Sequence, residues 1–184
     1  MKVTILSPME IEKEKTLMAL QNIKELKHSY EVITCGIGRE AIAKTMMALP
    51  ESDVTVLMGF AAVVGQAEVL PAELQLGMPV EVTASLLYGY EGQLFENGSI
   101  KVFNAKTNLP CLLSLTSDKF VKTTDITIGT LVNMEDYSFV NLKRPQDFII
   151  RIVSDFLPHQ KPIDFFKEIE VIDFTKAIEA IEKL

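Results

Sequence analysis

Hydrophobic and polar positions follow two rhythms along the first sixty residues. Lys2–Ser7 is short, apolar and β-branched, and predicts a strand that Pro8 stops. Residues 9–27 switch to a helical rhythm, with Leu17, Leu20, Ile23 and Leu26 recurring every three positions. Residues 30–35 predict a second strand, broken by Gly36-Ile37-Gly38. Residues 39–49 predict a helix whose inner side carries Ala41, Ile42, Thr45, Met46 and Leu49. Residues 53–58 predict a third strand, ended by Gly59 and followed by Ala61, Ala62 and Gly65. Strands that are apolar throughout, set between helices, belong to a sheet covered on both faces. This β-α-β-α-β opening predicts a parallel, doubly wound start.

The pattern changes in the middle. Residues 79–88, 100–104 and 110–115 predict strands separated by Gly- and Asn-rich turns, with weak helical signals between them. Residues 126–133 predict a further strand, 134–142 a helix ended near Pro145, and 148–153 a last apolar strand ending in Ser154-Asp155. Pro162 suits the first position of a helix carrying Ile163, Phe166 and Ile169. Asp173 is placed to cap a final helix through Ile178 and Ile181. The expected class is α/β: a three-layer sandwich with a central mixed, partly barrel-like sheet flanked by helices.

Composition narrows the partners. With 184 residues and 48% hydrophobic side chains, the chain can bury a substantial core, and no linker divides it, so 1–184 is expected to be one domain. The net charge of −7, with Lys and Arg scattered, argues against nucleic acid as a partner. No apolar run reaches about 18 residues, so no membrane span is expected. Residues 1–8 lack the features of a secretion signal, and the expected location is cytoplasmic. Cys35 and Cys111 lie in apolar runs and are expected to be buried free thiols. With only His28 and His159 beside them, they give no zinc pattern.

Ligands of open α/β sheets gather beyond the carboxyl ends of strands. The acids at those ends are Glu12, Asp118, Glu135 and Asp155. Each has an ordinary structural use: Glu10 and Glu12 near a helix N-terminus, Asp118 in a turn, Glu135 in a first helical turn, Asp155 as a cap. Gly36-Ile37-Gly38 is a weak dinucleotide signal, since position 41 is Ala41. Arg39 is either a solvated charge or an anion ligand. Arg151, in an apolar strand and on the face of Asp155 by period two, is either a buried partner for an acid or a phosphate ligand.

Taken in order, these pieces resemble the nucleoside phosphorylase superfamily. The series is Met9-x-x-Glu12, Gly36-Ile37-Gly38, Gly59-x-Ala61, Ser117-Asp118-x-Phe120, Val132-Asn133-Met134-Glu135 and Arg151-Ile152-Val153-Ser154-Asp155. Within that superfamily the chain is most similar to the methylthioadenosine/S-adenosylhomocysteine nucleosidases, over about residues 1–157 with gaps. The resemblance implies that Asp155 protonates or hydrogen-bonds the purine N7 and that Glu135 grips the ribose hydroxyls. It implies that Glu12 activates the attacking water, that Met134 packs on the sugar, and that Phe120, with Val121 beside it, packs on the base. The backbone of Gly59, Phe60 and Ala61 is expected near the water or anion site. The pattern departs at Phe60, where nucleosidases of this group usually carry Ser, and in a trimmed region over 89–108. The implied ligand is a small nucleoside, with no metal or organic cofactor, in a homo-oligomer of two or more copies. Residues 60–74 and Met46-Met47 are candidate interface. Hydrolysis is the favoured reaction, because the cationic groups that hold phosphate are sparse. The alternatives are phosphorolysis, nucleoside binding without turnover, and a plain flavodoxin-like or dinucleotide-binding domain.

Overall fold

In the computed structural model, which describes residues 1–65, 74–88, 101–122, 130–157 and 164–184, the parallel opening forms. β1 (Lys2–Ser7) lies between β2 (Ser29–Thr34) and β3 (Val54–Val64), parallel to both. α1 (Glu10–Asn22) follows β1, and α2 (Arg39–Met47) follows β2. α1 stops short of the predicted end, and its buried side chains are Glu12, Thr16 and Ala19. Leu17 and Leu26, expected inside, are 40% and 42% exposed. Leu20 and Ile23 do pack against the core on this side of the sheet, and the helix is turned so that an acid, Glu12, is buried there with them.

β3 does not end at Gly59. It runs 11 residues to Val64, because the apolar stretch after Gly59 continues the strand with nearly every side chain buried. β4 (Pro79–Leu87), β5 (Lys101–Val102), β6 (Cys111–Thr116) and β7 (Thr130–Asn133) form the expected middle strands, and β8 (Phe148–Leu157) outlasts its predicted end. Ile100, residues 126–129, His159, Pro162 and Ile163 lie outside the described residues. β3 pairs with β7 and β8, β7 with β6, β6 with β4, and β4 with β8. Those five strands close into a ring. The pairings within it are both parallel and antiparallel, giving the mixed, partly barrel-like sheet that the pattern predicted.

Helices cover both faces. α1, α4 (Phe165–Glu170) and α5 (Thr175–Ile181) pack on one side, where Ala19, Ile169 and Ile178 share a buried cluster with Ile5, Val56 and Ile150. On the other side, Ile42 of α2 and Phe139 of α3 (Asp136–Leu142) join Leu6, Leu57 and Ile149. Adjacent residues of β1, β3 and β8 thus face opposite clusters, which is why these strands are apolar without alternation. Each such aliphatic side chain contributes about 1.5–3 kcal/mol by leaving water.

Local capping differs from expectation in three places. Phe174, not Asp173, is the cap residue of α5; the Asp173 carboxylate instead accepts from the Thr175 N–H and hydroxyl. α4 is capped by Asp164, whose side chain accepts from the Lys167 N–H. α3 begins at Asp136, leaving Glu135 as its cap residue with a side chain free to point elsewhere. Cys35 is buried as expected, but Cys111, at the first position of β6, is exposed.

Candidate functional site

One cleft collects the ends of β1, β6 and β7 and the middle of β3 and β8. Its wall includes Met9, Glu12, Phe60, Phe120, Glu135 and Asp155, and it encloses about 620 Å³ of space including its open mouth. Met134, Val121 and Ala61 also line it. Of the residues that the resemblance assigned to the substrate site, Gly59 does not line it, though it lies one residue from the wall.

Glu12 is 1% exposed and ties two elements together. One carboxylate oxygen accepts the Met9 N–H at 2.7 Å, the return bond of a capping box at the start of α1. The other accepts the Phe60 N–H of β3 at 2.6 Å. A Cβ on Gly59 would stand 2.6 Å from the Glu12 carboxylate oxygen and 3.0 Å from Pro8, so only glycine admits this approach. The glycine is therefore a packing requirement within a strand, not a turn. The Phe60 amide, expected to face a water or anion, is directed at Glu12 instead. Burial pushes the Glu12 carboxyl up to about 7. The Phe60 N–H, the Arg151 charge and the Met9 N–H oppose that rise, while the Glu135 charge adds to it.

Glu135 caps α3 and reaches across to the glycine turn before α2. It accepts the Gly38 N–H at 2.9 Å. Gly38 holds φ at +94°, a conformation that side-chain-bearing residues rarely adopt, and this aims its N–H at the acid. The other Glu135 oxygen accepts from Arg151 Nη2 at 3.0 Å and from the Met134 N–H at 3.3 Å.

Arg151 is fully buried, and it is a partner of acids. Its Nε and Nη2 donate to one oxygen of Asp136 at 2.9 and 2.6 Å, and its Nη1 donates to the Phe60 carbonyl at 3.3 Å. Burial works against its charge, but the Asp136 and Glu135 carboxylates outweigh it and hold the guanidinium proton more tightly than usual. Nearby, burial and the Glu135 charge push the Cys35 thiol up to about 12, so it stays protonated and inert.

Asp155 does not share a face with Arg151. Along β8, Arg151 and Val153 pair with Gly59 and Ala61, but Asp155 pairs with Ala62, so Ser154 is an extra residue. This bulge reverses the alternation that follows it. Asp155 is thereby placed on the Ala62 face, away from Arg151, in the wall of the cleft. The Ser154 hydroxyl donates to it at 2.5 Å.

The aromatic wall runs from mouth to core. Phe120 is 56% exposed and meets Phe165 edge-on at 5.8 Å; Phe165 meets Phe60 at 6.3 Å, and Phe60 meets Phe174 at 5.2 Å. The Phe60 ring thus packs against α4 and the start of α5. Arg39 and Asp118 are outside the cleft wall. They form a two-bond fork at 2.6 Å with each other, joining the start of α2 to the segment after β6. Sequence reasoning missed Asp136 and Phe165, and it quoted Asn133 within a motif without giving it a role. The available signal for Asp136 was a second acid directly after Glu135, matched to an arginine inside an apolar strand. Among the described residues, no group of three or more His, Cys, Asp or Glu side chains is arranged to hold a metal ion, and no helix is long and apolar enough to cross a membrane.

No protein-family model matches the sequence, and no curated protein matches it. Solved structures do match its fold. The 5′-methylthioadenosine/S-adenosylhomocysteine nucleosidase of Campylobacter jejuni superimposes with a TM-score of 0.74 over 100% of this chain and 97% of that one, at 18% identity. The Streptococcus pyogenes S-adenosylhomocysteine nucleosidase, in complex with 5-methylthiotubericidin, gives 0.68 over 99% and 94%, at 17% identity. A variant of the Chlamydia trachomatis nucleosidase bound to MTA gives 0.67 over 98% and 95%, at 15% identity. The fold of this chain is therefore the nucleosidase fold that its motif order resembled.

Proposed function

We propose that this protein cleaves the N-glycosidic bond of a purine-type nucleoside by hydrolysis. The observation that supports this best is one cleft holding Glu12, Glu135 and Asp155 together with Phe120 and Met134, in a fold shared with nucleosidases. Phe120 offers its face to the base, and Asp155 delivers a proton to the purine N7. A purine leaves poorly as an anion, so that proton makes heterolysis of the C1′–N9 bond accessible. The bonding pair leaves with the base, and the ribose ring takes on oxocarbenium character. Glu135 accepts hydrogen bonds from the ribose hydroxyls and fixes the sugar. Glu12 takes a proton from water as the water oxygen bonds C1′, and a carboxyl held up to about 7 suits a base working near neutral pH. The products are free base and ribose sugar, one water consumed.

Water is favoured over phosphate by charge. Among the described residues, the cleft wall carries three carboxylates and one cation, Lys119. Arg151 is engaged by Asp136 and Glu135, and Arg39 by Asp118. Arg151 is buried among its acids, and Arg39 lies outside the cleft wall. The second reading, a nucleoside binder without turnover, draws on Phe60, whose bulk stands in the cleft wall.

Base release from methylthioadenosine, S-adenosylhomocysteine, adenosine, inosine and uridine, each with and without phosphate, tests the reading by chromatography. The expected result is phosphate-independent release of a purine that Asp155→Asn abolishes. Ligand-induced thermal stabilisation with no product would support the binder reading. Release that requires phosphate would establish phosphorolysis.

A further inference from the structure

Asp136 is a fully buried acid outside the cleft wall, and nothing in the proposed reaction uses it. It is held from three sides. Its Oδ1 accepts from Arg151 Nε and Nη2, its Oδ2 accepts from Asn133 Nδ2 at 2.7 Å, and its N–H donates to the Asn133 side-chain oxygen at 2.9 Å. Asn133 uses that same oxygen to accept the Glu135 N–H at 3.0 Å. The backbone of the two consecutive acids is therefore pinned by one side chain, while their carboxylates share one guanidinium.

The sharing is unequal. Asp136 receives two Arg151 N–H bonds, at 2.6 and 2.9 Å, and Glu135 receives one, at 3.0 Å. A guanidinium facing a single carboxylate favours the bidentate fork, which engages both acid oxygens. A carboxylate has about four lone-pair sites. The Gly38, Met134 and Arg151 donors already engage Glu135, and a full fork would leave little for a ligand. We infer that Asp136 is a positioning residue: it draws Arg151 into its own pair and so keeps Glu135 an open acceptor for the ribose hydroxyls. This rests on the nucleosidase reading and assigns Asp136 a part in how that site recognises its sugar.

The test compares wild type and Asp136→Asn on a ribonucleoside that the wild type cleaves and on its 2′,3′-dideoxy counterpart. In Asp136→Asn, KM for the ribonucleoside rises about tenfold or more, the scale of a lost charged hydrogen bond. KM for the dideoxy compound, which has no hydroxyls to grip, stays within about twofold. A purely structural Asp136 would shift both alike, and an equal rise or no rise in either overturns the inference. Removing one partner of a buried ion pair also threatens folding. The charge-balanced Asp136→Asn/Arg151→Gln variant is therefore measured alongside. It has no guanidinium to seize Glu135, so its preference for the ribonucleoside returns towards wild type; loss of that preference overturns the inference. If the wild type neither binds nor cleaves any nucleoside, the functional reading falls and this inference with it. Wild-type turnover with an unchanged preference in Asp136→Asn defeats the inference alone.

Discussion

Burial holds the Glu12 proton up to about pH 7, so stability and catalysis respond to pH in opposite directions. In the unfolded chain this carboxyl ionises near 4.5. The folded state therefore binds the extra proton between those values. The contribution of Glu12 to stability is complete below about 4.5 and is lost as pH rises through about 7. Glu12→Gln removes this dependence. Relative to wild type, the variant gains roughly 3 kcal/mol between pH 5 and pH 8, which urea unfolding at the two pH values measures. A base, by contrast, must be ionised to act. Wild-type kcat/KM falls as pH drops below about 7, and Glu12→Gln loses on the order of 10²–10⁴ in rate at neutral pH. The two curves cross in the physiological range, so the protein is predicted to work where Glu12 already costs it stability.

Among the elements, β3 and β8 carry the lesson of what a sequence can and cannot disclose. Their apolar runs announce buried strands, while local pattern reads the glycine within β3 as an ending, since glycine most often punctuates. In fact Gly59 continues the strand and leaves room for Glu12, a contact whose partner lies 47 residues earlier and is invisible to local pattern. Gly59→Ala places a methyl 2.6 Å from the Glu12 oxygen. It is expected to cost about 1–3 kcal/mol in thermal or urea unfolding and to depress base release, since the acid must shift. Period-two counting puts Asp155 on the wrong face for a related reason. Period-two counting holds only in a regular ladder, and the extra Ser154 in β8 resets it. The order of the site motifs was legible because side chains that do chemistry stay at strand ends and bends. The pairing of Arg151 with Asp136 was not, because it depends on which strands neighbour each other. The helical rhythm of α1 placed Leu20 and Ile23 on the core but not Leu17 and Leu26, and it gave no sign of the inward Glu12.

For the molecule as a whole, buried acids serve as fasteners far from the cleft as well as within it. Glu81, fully buried in β4, accepts the Lys106 and Thr107 N–H groups and the Thr107 hydroxyl. Asp147, ahead of β8, accepts the Thr55 N–H of β3 and the Arg144 side chain. Glu81→Ala strands three donors and is expected to destabilise the fold by roughly 3 kcal/mol or more in urea unfolding, with KM unchanged because Glu81 touches nothing in the cleft. β8 closes the ring of five strands by pairing with β3 and β4, and it brings Arg151, Ser154 and Asp155 with it. Its partner β3 is distant in sequence, and such pairing raises contact order and is expected to slow folding. A chain whose β8 has not docked has neither a ring nor a complete cleft. Folding and the birth of the binding site are then one kinetic event, and a ligand of the cleft would hold the ring shut, lowering the rate at which the protein comes apart.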